Sequence, residues 1–90
     1  MRRGFFNAEI CRFYGIIIRM FSIDNDHPPK HVHIKYAEHE AVMELESLNI
    51  IDGSLPKRAR ILAREWAEIH QDELKEMWDT QNFHKIEPLE

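Results

Sequence analysis

The chain has 90 residues, a formal charge of −4 and one cysteine. That length supports one domain with a limited core, and the acidic balance disfavours a general nucleic-acid binder, which is usually basic. The lone Cys11 excludes an intramolecular disulfide and fits a reducing compartment. No run approaches the ~20 apolar residues of a membrane helix, so the expected location is the cytoplasm. With 43% hydrophobic and 31% charged residues, the composition is that of a folded chain rather than a disordered one.

Residues 1–9 open on Met1-Arg2-Arg3-Gly4-Phe5-Phe6, which lacks the apolar core of a signal peptide. They read as a loose extension. Residues 12–23 are dominated by β-branched and aromatic side chains and predict one strand, apolar on both faces. Asp24-Asn25-Asp26-His27-Pro28-Pro29-Lys30 is a loop stiffened by two prolines.

Residues 31–36 and 40–46 alternate as two amphipathic strands of a hairpin. A two-residue turn at Glu38-His39 would set Ile34 opposite Met43 and Val32 opposite Leu45. The same register sets His33 against Glu44 and His31 against Glu46, with every apolar residue on one side. Asn49–Gly53 adds a further short strand.

Ser54 suits a helix N-cap and Pro56 a first turn. Ala59, Leu62, Ala63, Trp66 and Ile69 recur at helical spacing, continued by Leu74, Met77 and Trp78. A break is expected between His70 and Asp72, and residues 80–90 form an irregular tail containing Pro88. The predicted class is therefore α+β. A small antiparallel sheet of three to four strands over residues 12–51 is followed by one or two helices over 54–79, packed on one face.

Three sets of residues carry possible chemistry. His31 and His33, at i and i+2 on a strand, point the same way, ~7 Å apart along it. With His27 and Asp26 they are candidate ligands for a divalent transition metal such as zinc or nickel. Without metal, His27, His31 and His33 with Glu44 are candidates for acid–base hydrolysis, including cleavage of RNA. The competing reading is a solvated strand face on which each histidine pairs with a glutamate, worth ~0.2–1 kcal/mol per pair.

Lys57, Arg58, Arg60 and Arg64 form a basic stripe suited to an acidic partner or a phosphate, although Arg64 to Glu68 is also an ordinary i,i+4 ion pair. Trp66 falls on the apolar stripe and reads as core, whereas Trp78 reads as an interface residue. Cys11 has no signature of a catalytic thiol around it.

Several segments together resemble a known family. They are Glu9-Ile10-Cys11-Arg12-Phe13-Tyr14-Gly15-Ile16-Ile17-Ile18-Arg19-Met20, Asp26-His27-Pro28-Pro29-Lys30-His31-Val32-His33, Gly53-Ser54-Leu55-Pro56-Lys57-Arg58-Ala59, Glu65-Trp66-Ala67-Glu68-Ile69-His70 and Lys85-Ile86-Glu87-Pro88-Leu89. Taken in this order they are similar to the bacterial family called domain of unknown function 4160, over roughly residues 8–89. The resemblance carries over Asp26, His27, His31, His33, Arg58, Trp66 and His70. Pro28 and Lys30 depart from its usual Asn and Pro, which changes the loop and keeps the histidines. Residues 1–7 look extra to its usual start.

The resemblance implies no established activity. It implies a protein partner encoded nearby, of the family called domain of unknown function 2442, in a toxin–antitoxin-like pair. The leading expectation is thus a small protein-binding module, with homo-oligomerisation open. The alternatives are a small hydrolase built on the histidines and a regulator that touches nucleic acid through the basic stripe.

Overall fold

A computed structural model describes residues 7–22 and 28–89. The elements are β1 (Asn7–Phe13), β2 (Ile16–Phe21), β3 (His31–Tyr36), β4 (His39–Glu44), β5 (Ile50–Gly53), α1 (Lys57–Ile69) and α2 (Gln71–Thr80). The five strands form one antiparallel sheet in sequential order, and the two helices follow. The fold class is the expected α+β architecture, with one strand more than predicted.

The extra strand comes from a turn inside the expected long strand. Tyr14 and Gly15 both have positive φ, at 50° and 80°. Two successive residues of that kind make a turn whose twist matches that of antiparallel strands. The chain therefore reverses within residues 12–23, and Asn7–Glu9, expected to be loose, belong to β1.

The hairpin of β3 and β4 forms, with a register two residues away from the expected one. Its turn is Ala37-Glu38, not Glu38-His39, so Tyr36 pairs with His39. Ala37 takes the left-handed conformation, φ 54°. A two-residue shift preserves which face each side chain occupies, because strand periodicity is two. It changes the partners, however. Val32 meets Met43, Ile34 meets Ala41, His31 meets Glu44 and His33 meets Val42. The predicted pairs His31–Glu46 and His33–Glu44 do not exist.

One face of the sheet is apolar and closed. Ile10, Ile16, Ile18, Met20, Val32, Ile34 and Met43 are buried together with Ala59, Ala63, Trp66 and Ala67 of α1. Leu74, Met77 and Trp78 of α2 complete the core. The break near His70 is present: α1 ends at Ile69 and α2 starts at Gln71. Ser54 is not the N-cap of α1. Pro56 holds that position without a side-chain cap, and the Ser54 N–H donates to the Glu40 carbonyl at 3.2 Å.

The tail is irregular, and it is docked. Ile86 is buried, its N–H donates to the Ile10 carbonyl at 2.9 Å, and Trp66 Nε1 donates to the Glu87 carbonyl at 2.8 Å. Among the described residues no helix is long and apolar enough to cross a membrane.

Candidate functional site

The second face of the sheet follows from the same alternation. Register places Arg19, His33, Val42 and Asp52 in one row across β2 to β5. Ile17, Lys35 and Glu40 form the next row. These residues and Phe21 line a shallow groove of about 300 Å³. Phe21 stacks against His33 with ring centroids 4.3 Å apart.

His31 is the one buried polar residue of the described core, 7% exposed. Its Nδ1 lies 2.7 Å from the Pro29 carbonyl oxygen, so Nδ1 carries the proton and donates. Its ring packs between His33 and Trp78, each at 5.0 Å. The carbonyl and the indole hold this imidazole in place at the start of β3. His33 is half-buried and lies beside it on the open groove.

Asp26 and His27 lie outside the described residues. Among the described residues no group of three or more His, Cys, Asp or Glu is arranged to hold a metal ion. The register sets His33 opposite Val42 where Glu44 was expected, and sets Glu44 opposite His31. Glu44 instead accepts a hydrogen bond from Ser47 Oγ at 2.6 Å.

The basic stripe divides. Arg64 is tied down: it donates to the Leu48 carbonyl at 3.1 Å and meets Glu68 at 3.5 Å. Lys57, Arg58 and Arg60 are exposed, and no carboxylate lies within ion-pair distance of them among the described residues. Arg60 borders a second groove, with Leu48, Ile50 and Ile61 as its apolar part and Glu65 and Glu68 on its rim. Ile61 is 49% exposed. Trp78, expected at an interface, is instead 4% exposed and belongs to the core. The sequence signal pointing outward was its position near the helix end. The contact with His31 overrides it.

His70 stacks on Trp66 at 5.2 Å, and its Nδ1 lies 3.6 Å from Glu73. These two positions of the Trp-Ala-Glu-x-His segment therefore brace α1, α2 and the tail.

Cys11 is buried at 5% exposure. Burial pushes its thiol above the usual cysteine range. The thiolate is the reactive form, so Cys11 is expected to react slowly with a thiol reagent in the folded protein. In denaturant it should label fully. Rapid stoichiometric labelling under native conditions would contradict this.

The sequential antiparallel sheet with two helices behind it defines a small α+β protein. A family model described as domain of unknown function (DUF4160) matches residues 15–79, and the chain belongs to that family. No curated protein and no solved structure matches it.

Proposed function

We propose that this protein is a binding module, working through a protein partner that offers an acidic segment with an apolar side chain. The observation that supports this most is the exposed Ile61, which lines a groove together with Arg60, on a helix whose exposed Lys57, Arg58 and Arg60 have no carboxylate within ion-pair distance among the described residues. An apolar anchor with a charged border is the common anatomy of an interface. The cations also sit where they cost stability. The first turn of α1 contains no acidic residue, and a positive charge near a helix N-terminus is unfavourable by ~0.3–1 kcal/mol. A partner carboxylate offsets that cost.

In a two-gene module of the toxin–antitoxin type, the partner is the product of the adjacent gene. The test is co-purification of that product with wild type and with the triple substitution Lys57→Glu/Arg58→Glu/Arg60→Glu. Charge reversal is expected to weaken the complex by about a hundredfold, mostly through slower association and with strong salt dependence. The fold should be kept, with α1 slightly stabilised because acidic residues suit that end. Undiminished binding by the triple variant would reject this surface. Salt-sensitive RNA binding that is lost in the same variant would assign it to nucleic acid instead.

A further inference from the structure

The open sheet face carries a charge pattern that the module reading does not use. In the row Arg19–His33–Val42–Asp52, the cation stands on β2 and the carboxylate on β5. In the next row, Lys35 stands on β3 and Glu40 on β4. Each row is positive on the β2–β3 side and negative on the β4–β5 side. The midline between β3 and β4 divides the two halves.

Within one chain the outer pair cannot meet. Three strand spacings of ~4.8 Å separate β2 from β5, and neither Arg19 nor Asp52 has an ion-pair partner within 4.0 Å among the described residues. Lys35 reaches Glu40 only at 3.8 Å. Glu9 continues the first row on β1 as Arg19's cross-strand neighbour, but Arg12 binds it at 2.9 Å, and that hydrogen bond, with a smaller pull from the charges of Arg12, Lys85 and Arg19, holds its carboxyl below the usual range.

We propose that this face is a homodimer interface, with a twofold axis running along the strands over the gap between β3 and β4. An isologous contact requires a surface complementary to itself. That axis lays β2 over the second copy's β5 and β3 over its β4. Arg19 then faces Asp52 of the other copy, Lys35 faces its Glu40, and His33 faces its Val42. Each charge pair occurs twice. Half-buried Ile17, Phe21 and Val42 supply the apolar part. Aligned packing of two sheets ~10 Å apart is an ordinary arrangement. The helices, with Lys57, Arg58 and Arg60, remain on the outside of the pair, so this contact does not compete with the proposed partner surface.

The interface is small. Four strands of about six residues span ~20 Å by ~20 Å, less than the ~800 Å² per partner of a standard interface. The dimer is therefore weak and salt-sensitive. Sedimentation equilibrium of the full chain at low ionic strength, from micromolar to millimolar protein, is expected to show a reversible dimer that added salt dissociates.

Arg19→Glu should weaken association about tenfold or more, as like charges meet. Arg19→Glu combined with Asp52→Arg should restore it, because the reversed pair is again complementary. Circular dichroism of both variants should match wild type, since Asp52 is exposed and Arg19, half-buried, lies on the face away from the core. A monomer throughout the range would overturn the proposal. So would a dimer indifferent to Arg19→Glu, or concentration-dependent amide shifts that fall on α1 rather than on β2–β5. A full chain that stays monomeric, and dimerises only when residues 1–6 are removed, would assign the face to the chain's own N-terminal segment and equally overturn it.

Discussion

Replacing Trp66 by alanine is expected to cost about 3–5 kcal/mol, the usual range for deleting a large buried aromatic. Trp66 is fully buried, and three separate parts of the fold depend on it. Its ring packs on Phe13 at 5.7 Å, which joins α1 to the first hairpin. It packs on His70 at 5.2 Å, at the junction of the helices. Its Nε1 donates to the Glu87 carbonyl at 2.8 Å, which helps hold the tail. Small domains have only ~5–15 kcal/mol of total stability, so the variant should be largely unfolded or close to it. Trp66→Phe keeps much of the packing and loses the donor, so it should fall between the two. Urea unfolding midpoints measure both. A Trp66→Ala protein within about 1 kcal/mol of wild type would mean that the indole does not organise this core.

Gly53→Ala is the second large effect, and it acts through backbone. Gly53 has φ +72°, a conformation that costs other residues ~1–2 kcal/mol. An added Cβ would also collide with the Glu40 carbonyl oxygen and lie 2.9 Å from Ala41 Cα. Both atoms belong to the backbone of β4, which cannot rotate away as a side chain can. Overpacking of this kind adds ~1–3 kcal/mol. Relief requires β5 to move from β4, which would also break the bond from Ser54 N–H to the Glu40 carbonyl. The melting temperature should fall by roughly 8–40 °C, for a combined cost of ~2–5 kcal/mol at ~4–8 °C per kcal/mol in a domain of this size. Hydrogen exchange at Ser54 should accelerate more than exchange in β2. Because Asp52 precedes Gly53, the same variant should also weaken the proposed dimer. An unchanged melting temperature would show that β4 can yield.

Much of the fold was legible in the chain. Alternation at residues 31–36 and 40–46 identified a hairpin, and it identified its inner face correctly, since Val32, Ile34, Ala41 and Met43 are all buried. The stripe Ala59, Ala63, Trp66, Leu74, Met77 is the helical side of the core, and the break near His70 was visible in it. The first hairpin is hidden in the sequence because Ile, Phe and Tyr around Tyr14-Gly15 read as one apolar run. The signal available was that dipeptide, with Gly15 able to take positive φ at no steric cost. The register error arose from turn chemistry: neither Ala37 nor Glu38 is a usual turn residue, and Ala37 is held at φ 54° by the strands around it.

The candidate site was less legible, for one reason. A sequence tells which face a strand residue occupies, but the identity of its neighbour depends on register. A slip of two residues leaves the faces intact and replaces a histidine–glutamate pair by His33 beside Val42. His31 and His33 are neighbours, as their i,i+2 spacing requires, with ring centroids 5.0 Å apart. Their setting, with His31 closed between Pro29, His33 and Trp78, came from packing between elements that are distant in sequence.

By itself the sequence determined the class of fold, the inner face of the sheet, the helical core stripe and the family. These depend on periodicity and composition, which are local properties. Only the tertiary structure decided that Trp78 is core, that the tail is pinned by Trp66 and Ile10, and that Arg19 and Asp52 lie in one row on β2 and β5. Each of these is a meeting of segments far apart along the chain, set by how strands pair and helices pack.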